Sequence, residues 1–301
     1  MAGKQLQSFG GGWTELKLGM LEEYLAAYAK VMKNQPFERL YIDAFAGTGY
    51  RERAPAGPDL GFFTPELAED EPQKFFDGSA RIALRIQPPF RRYVFIEQSA
   101  KRFAELLKLK EGFPELADRM RFIQEDGNRA LQDLCGEWDS RRMRGVLFLD
   151  PFGMQVDWKT LEAVARTQAI DVWILFPLGI GVNRLLPRNG KIPDAWRARL
   201  DRVFGTTDWY DAFYRPARIR SFFDAGPRMV KTGSFNSIAE YYQERLRTIF
   251  PAVAENPRVL TNSRNTPLFL LCFAVGNPGL KAKKAAMRIA QHILGKGRSW
   301  A

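Results

Sequence analysis

The sequence predicts an α/β protein with a Rossmann-like, doubly wound and mainly parallel sheet, and an appended basic and aromatic helical lobe. Four short apolar runs each end in an acidic residue, and helical patterns separate them. A Gly-x-Gly turn follows the first run. Helices between apolar strands favour parallel pairing. Because the carboxyl ends of parallel strands share one edge, we expect Asp43, Glu97, Asp126 and Asp150 to meet at a site there.

The predicted elements at the start of the chain are a helix, a strand and, after an insertion, a second helix. Apolar residues repeat at helical spacing from Leu16 to Met32, with Thr14 as a candidate N-cap. A short strand follows at 39–44. Residues 51–77 are rich in Pro and Gly and too long for an ordinary connection, so they are predicted to be disordered or to form a lid. The helix expected after the first strand begins after the insertion, with Ser79 as its cap.

The remaining elements complete three predicted regions. Further strands are predicted at 93–97, 121–126, 146–150, 171–176 and 267–276, and a basic helix at 282–294. The core spans 13–179, a helical substrate or partner lobe spans 180–260, and 261–301 returns a strand and a helix to the core.

Basic and aromatic residues interleave in the stretch 180–250. Examples are Arg184, Trp196, Arg197 and Tyr210. This pattern suits phosphate contact and base stacking. The alternative is a small helical lobe whose aromatic residues form its core and whose arginines coat its surface. The sequence alone leaves both interpretations open.

Composition narrows the classes of function. The net charge of +11 favours a polyanionic partner, nucleic acid first, unless the charge is spread evenly for solubility. Two cysteines and one histidine are too few for a Cys/His zinc cluster, so no metal is predicted. They also fit a reducing cytoplasm better than a disulfide framework. No apolar run of about 18 residues is present, so we expect a cytoplasmic protein with no membrane partner.

The loop after the first strand is a candidate cofactor site. Asp43, Ala44 and Phe45 lead to Gly47 and Gly49, where missing Cβ atoms would let a ligand lie against the backbone. This loop would hold the amino-acid end of a cofactor of the S-adenosylmethionine kind. A nicotinamide dehydrogenase fits less well, because the third glycine of Gly-x-Gly-x-x-Gly is absent.

The next two strand ends would hold the nucleoside. Glu97, followed by Gln98, can accept both hydroxyls of a ribose. The ribose-binding acid usually follows the first glycine by about 20 residues, and the 51–77 insertion accounts for the longer spacing here. Asp126, Gly127 and Asn128 would flank an adenine and bind its exocyclic amine.

The fourth strand ends in Asp150-Pro151-Phe152-Gly153, the predicted catalytic segment. The Asp150 carboxylate and the Pro151 carbonyl can accept hydrogen bonds from an exocyclic amine, and Phe152 can stack on the ring. Catalysis would then be chiefly positioning of the amine, and a duplex base would have to be flipped out. An ordinary Asp-Pro turn at a strand end is the alternative.

These residues carry a family resemblance. The strand-end motifs resemble those of class I S-adenosylmethionine-dependent methyltransferases. The Asp150 box is similar to the Asp-Pro-Pro-Tyr of DNA adenine methyltransferases and to the Asp-Pro-Phe-Gly of tRNA guanine-N2 dimethyltransferases. Over most of the chain the pattern resembles the three-Cys-motif partner family. That resemblance is carried by the segments Trp13-Thr-Glu-Leu-Lys-Leu, Tyr41-Ile-Asp-Ala-Phe-Ala-Gly-Thr-Gly, Gly78-Ser-Ala, Asn183-Arg-Leu-Leu-Pro, Asp208-Trp-Tyr and Gly276-Asn-Pro. It implies the fold, S-adenosylmethionine, and a partner protein bearing three cysteines.

The sequence therefore predicts a methyltransferase that acts on an exocyclic amine of a nucleic-acid base, in DNA or RNA. Two alternatives stay open. One is a catalytically silent methyltransferase-fold protein that binds another protein. The other is a methyltransferase for proteins or small molecules.

Overall fold

A computed structural model describes residues 12–47, 78–217 and 229–296. Gly49, the predicted 51–77 insertion and residues 218–228 lie outside the described residues. Within them, one large sheet has the strand order β3-β2-β1-β4-β5-β10-β8, with β9 also paired to β10, and β6 and β7 form a separate ribbon.

The strands are β1 (Glu38–Asp43), β2 (Arg92–Ile96), β3 (Met120–Ile123), β4 (Met143–Leu149), β5 (Ile170–Phe176), β6 (Tyr214–Pro216), β7 (Met229–Lys231), β8 (Ala252–Val253), β9 (Arg258–Thr261) and β10 (Pro267–Val275). The helices are α1 (Gly12–Val31), α2 (Ser79–Arg85), α3 (Ala100–Leu107), α4 (Leu109–Gly112), α5 (Gly127–Gly136), α6 (Trp158–Arg166), α7 (Asp194–Phe204), α8 (Trp209–Phe213), α9 (Phe235–Arg247) and α10 (Leu280–Gly295), with 3₁₀ turns at Pro114–Arg119 and Val182–Leu185.

The first five strands are parallel, and their register aligns their carboxyl ends. Asp43, the last residue of β1, lies opposite Phe95 of β2 and Phe148 of β4. Ile96 at the end of β2 lies opposite Ile123 at the end of β3. The strand order reverses direction between β1 and β4, and ligands of doubly wound sheets bind in the crevice at such a point. The predicted Rossmann-like class is confirmed, and the crevice falls between Asp43 and Asp150.

The strand predicted at 267–276 returns to the sheet as β10. It pairs antiparallel with β5, and its other neighbours, β8 and β9, are antiparallel as well. All nine residues of β10 are apolar apart from Cys272, and eight are buried. A strand covered on both faces reads as a continuous apolar run, which is why the sequence identified it.

The aromatic residues of the predicted lobe are core residues. Tyr242 on α9 stacks on Phe176 at the end of β5, with ring centroids 3.8 Å apart. Phe204, Trp209 and Phe213 are buried in the same apolar cluster, which includes residues of β1, β4 and β5. The lobe therefore packs directly on the sheet. Its aromatic residues are core residues, as in the second interpretation of the sequence, but they share that core with the sheet. The boundaries at 180 and 260 stay a prediction.

Several local predictions were wrong. Thr14 is buried inside α1, which already includes Gly12. Ser79 is the first residue of α2 rather than its cap, and Gly78 takes the cap position without a side-chain hydrogen bond. The first part of the predicted helical lobe is divided between a 3₁₀ turn and α7, because Pro187 and Pro193 interrupt it. The lobe also contains the β6–β7 ribbon, which the sequence did not indicate.

Among the helices of the described ranges, none combines the length and apolarity required to cross a membrane.

Removal of the Phe176 ring tests whether lobe and sheet form one cooperative unit. Phe176→Ala should lower the free energy of unfolding by about 3–5 kcal/mol, because it leaves a cavity under Tyr242. Leu107→Ala, at a side chain that is 40% exposed, should cost no more than about 1 kcal/mol. Denaturant unfolding followed by circular dichroism and tryptophan fluorescence measures both. Two separate transitions in the Phe176 variant would show that lobe and sheet unfold independently.

Candidate functional site

Asp43 is fully buried at the end of β1. One carboxylate oxygen, Oδ2, accepts hydrogen bonds from the Ser79 hydroxyl at 2.5 Å and from the Tyr41 hydroxyl at 3.2 Å. The other, Oδ1, is buried and has no hydrogen-bond partner among the described residues. A carboxylate oxygen without a donor is costly to bury, so this atom is suited to receive a donor from a ligand.

Burial raises the pKa of Asp43 to about 7. The Ser79 hydrogen bond acts in the opposite direction and lowers this pKa, the charge of Asp150 raises it further, and the Tyr41 hydrogen bond and the nearby Phe45 backbone N–H lower it. Asp43 ends β1 and Asp150 follows the last residue of the neighbouring parallel strand β4, so both carboxylates lie at the same edge of the sheet.

The loops that follow β1, β2 and β3 pack closely against one another. The Ala46 N–H donates to the Ile96 carbonyl at 3.0 Å, which ties the loop after β1 to the end of β2. Gly47 has φ +60°, the left-handed conformation that glycine tolerates best. A Cβ atom on Gly127 would lie 2.7 Å from the Ala44 carbonyl oxygen and 3.0 Å from the Phe45 ring. Glycine at 127 therefore lets the turn after β3 approach the loop after β1.

Glu97 is buried just beyond β2, and its Oε1 is held by two donors. These are the Ser99 N–H at 2.7 Å and the Arg102 guanidinium at 2.9 Å. Gln98 is exposed. The Arg102 contact fixes the orientation of the carboxylate. It was not predicted, although Arg102 follows Glu97 by five residues and lies on the first turn of α3.

Asp126 caps α5. Its Oδ1 accepts the backbone N–H groups of Asn128 and Arg129 at 3.0 and 3.1 Å. The Asn128 side chain is turned toward the segment after β4, where it donates to the Gln155 carbonyl at 2.8 Å and accepts the Asp157 N–H at 2.9 Å. Asn128 therefore connects two loops at the site edge.

Asp150 forms an ion pair that the sequence analysis missed. Lys17 on α1 places its ammonium 2.5 Å from Oδ2 of Asp150, and the Lys17 side chain is only 6% exposed. The same ammonium lies 5.2 Å from the centre of the Trp13 ring. A signal was present in the sequence: Lys17 precedes the buried Leu21 by four residues, so it shares the buried face of the helix.

The Asp150-Pro-Phe-Gly turn presents an aromatic ring to solvent. Pro151 is buried, whereas Phe152 is 47% exposed. Gly153 has φ +71°, a conformation that a bulkier residue rarely adopts, so glycine is suited to close this turn. The Arg102 guanidinium lies 5.4 Å from the centre of the Phe152 ring.

The residues that follow β1 to β4 are linked to one another by electrostatic interactions and by contacts. Asp43 and Asp150 are close enough to interact electrostatically. Arg102 contacts both Glu97 and Phe152, and Gly127 touches the loop that follows Asp43. Within the described ranges, no group of three or more His, Cys, Asp or Glu side chains could hold a metal ion.

Comparisons with known proteins give no family assignment. No family model matches the chain, and no curated protein matches it. Membership of the three-Cys-motif partner family therefore stays a prediction.

Solved structures show weak similarities. One is a protein of Legionella pneumophila carrying the family-model label DUF519, with TM-score 0.46, 12% identity, and 90% of each chain covered. Another is spermidine synthase from Thermotoga maritima, with TM-score 0.41, 10% identity, and coverage of 88% of this chain and 62% of that chain. A third is a Clostridium thermocellum protein named as an rRNA methylase, with TM-score 0.31, 14% identity, and coverage of 68% and 94%. Similarities of this strength carry no conclusion about activity.

The raised pKa of Asp43 makes stability depend on pH. Between about pH 4, the pKa of an unfolded aspartate, and pH 7, the folded protein holds a proton that the unfolded chain has lost. Stability should therefore fall as pH rises through this window. Asp43→Asn carries no such proton, so its free energy of unfolding should fall less over the same range, as urea titrations at several pH values would measure.

A control variant and a second buried carboxyl group help to interpret this measurement. Asp133→Asn, on the exposed side of α5, should show the same change of unfolding free energy with pH as the wild type. Part of this change should persist in the Asp43 variant, because burial also raises the pKa of Asp171, to about 6. If the unfolding free energies of wild type and Asp43→Asn changed equally with pH, the raised pKa would not belong to Asp43.

Proposed function

We propose that this protein is an S-adenosylmethionine-dependent methyltransferase whose acceptor is an exocyclic amine of a nucleic-acid base. The observation that supports the proposal most is that Asp43 and Asp150 follow the adjacent parallel strands β1 and β4, between which the strand order reverses, with Phe152 exposed two residues beyond Asp150. The net charge of +11 supports a polyanionic substrate. A cytoplasmic location and a three-cysteine partner protein are further expectations from the sequence.

The described residues fit the cofactor. Oδ1 of Asp43, buried without a partner, would accept the ammonium of the methionine moiety. Glu97, already oriented by Arg102, would accept the ribose hydroxyls. Asp126 and Gly127 would flank the adenine, with Asn128 holding that turn in place through Gln155.

Bound S-adenosylmethionine supplies an electrophilic methyl group on a positively charged sulfur. The protein would position the attacking nitrogen. Lys17 holds Oδ2 of Asp150, which fixes the carboxylate and leaves Oδ1 to accept an N–H of the target amine. The Pro151 carbonyl would accept the second N–H. Two acceptors orient the nitrogen lone pair, which is a positioning effect.

Phe152 and Arg102 would form the platform for the base. The exposed ring can stack on a purine, and the nearby guanidinium adds positive charge beside it. A base in a duplex would have to be flipped out to reach this platform, whereas a single-stranded base would not.

Cofactor binding can be measured by isothermal titration with S-adenosylmethionine. The wild-type protein should bind, and Asp43→Asn should weaken binding about tenfold or more, since it removes a charge-assisted hydrogen bond. Wild-type affinity should fall as pH drops below about 7, because protonated Asp43 cannot attract an ammonium. The Asn variant should show a smaller dependence on pH over that range.

Methyl transfer can be measured with S-adenosylmethionine labelled in its methyl group and total RNA or genomic DNA as acceptor. Asp150→Ala should reduce incorporation about 100-fold or more, since the amine loses its anionic acceptor, while cofactor binding persists. Asp133→Ala is the matched control and should remain active. Full activity of the Asp150 variant would show that Asp150 is not the acceptor for the target amine.

A second candidate function is favoured by the Lys17–Asp150 contact. An acceptor already paired with a buried ammonium is also what a catalytically silent methyltransferase-fold protein would show. Absence of cofactor binding in the titration would support this silent protein. If the protein binds S-adenosylmethionine and labels proteins or small amines, but not nucleic acid, it would be a methyltransferase for proteins or small molecules.

A further inference from the structure

A cavity of about 360 Å³ lies at the sheet edge opposite the strand-end acids. It sits between the C-terminal half of α1 and the N-terminal half of α10. Its floor is formed by residues at the amino ends of β4 and β5, including Arg144 and Asp171. Because it adjoins the opposite ends of the parallel strands, it is separate from the proposed methyl-transfer site.

The cavity wall is mainly apolar. Most of its lining residues are apolar or aromatic, including Tyr28 and Val31 of α1, Phe37, and Ala285 and Ile289 of α10. A volume of this size is at the lower end of the range for binding pockets and suits a few bulky side chains.

The polar groups of the floor are engaged within the protein. Asp171 accepts the Tyr24 hydroxyl at 2.9 Å and the Gly276 N–H at 3.3 Å. The Arg144 guanidinium donates to the Met143 carbonyl at 2.8 Å and lies 4.0 Å from the centre of the Phe37 ring. A floor whose charges already have partners favours an apolar occupant over a small charged ligand.

The rim of the cavity on α10 is basic. Lys281 lines the cavity, and the exposed residues Lys284 and Arg288 follow it at helical spacing on the same side of α10. The two segments that frame the cavity, residues 24–37 and 276–296, contain no Asp or Glu. Such a rim favours an occupant with acidic side chains around its apolar contacts.

One large apolar side chain of the lining is also exposed. Val31, at the end of α1, is 53% exposed. It therefore extends the apolar wall of the cavity to the surface.

We propose that this cavity docks an acidic, amphipathic segment of a partner protein. One or two apolar side chains would enter the cavity between α1 and α10, and carboxylates would contact the lysines of the rim. The concave apolar wall argues against nucleic acid, whose phosphates would contact the rim alone. A lipid surface could contact the exposed Val31 side chain but would leave the cavity itself unfilled.

Fluorescence polarisation with synthetic peptides tests the proposal on the full chain. The probe is a helix-forming peptide with Leu and Phe on one face and Glu on the other. Control peptides replace Glu by Lys, or Leu and Phe by Ala. The probe should bind at least about tenfold more tightly than either control, because only the probe satisfies both cavity and rim.

Variants locate the binding site. Ala285→Trp should fill the cavity, and Lys281→Glu with Lys284→Glu should reverse the charge of the rim. Each change should weaken probe binding about tenfold or more. The matched control, Lys159→Glu with Lys191→Glu at exposed positions elsewhere, should leave it unchanged. The charge-reversal variant is informative even if Ala285→Trp does not fold.

The outcomes are decisive in both directions. Equal binding of the three peptides, or equal binding by pocket and control variants, would overturn the proposal. Binding of single-stranded RNA or phosphatidylglycerol vesicles that depends on the pocket, without binding of the probe, would overturn it too. The inference does not rest on methyl transfer, and the pocket variants should keep wild-type affinity for S-adenosylmethionine.

Discussion

Asp43 lies at the end of the central strand without access to solvent, and a carboxyl group in that position must find donors or stay protonated. Ser79 and Tyr41 supply donors to one oxygen only. The rest of the site is arranged around this residue, because the parallel register sets the neighbouring strand ends beside it. Burial and the nearby charge of Asp150 keep its pKa high, so a cationic ligand would be bound most tightly by the ionised form.

The sequence predicted strands β1 to β5 and β10 of the sheet, and the acidic residues at or after the ends of β1 to β4, because both depend on local pattern; it did not predict the short strands β8 and β9. Continuous apolar runs identify buried parallel strands, and a polar residue at the end of each run marks the shared edge. Strand boundaries were accurate to a few residues. The largest errors were at the start of β4, which begins at Met143, and at the end of β3, which ends at Ile123, so Asp126 caps α5 rather than ending the strand.

The contacts that orient the site could not be predicted from local pattern. Lys17 and Asp150 are 133 residues apart, and Ser79 and Asp43 are 36 apart. Ser79 looked like a helix cap because serine commonly caps helices, but its hydroxyl is directed to the buried carboxylate instead. The aromatic residues of the lobe were ambiguous for a similar reason: composition cannot tell a stacking platform from a core, and Tyr242 is core because it packs on Phe176.

Helix α1 extends from one edge of the sheet to the other. Lys17, near its start, contacts Asp150, while Tyr24 and Tyr28, further along, line the cavity beside α10. A helix rises about 1.5 Å per residue, so the eleven positions from Lys17 to Tyr28 separate these contacts by roughly 16 Å along one stiff rod. Because a helix resists axial compression, a small translation of α1 would displace both ends together, and the two edges of the protein are mechanically joined through it.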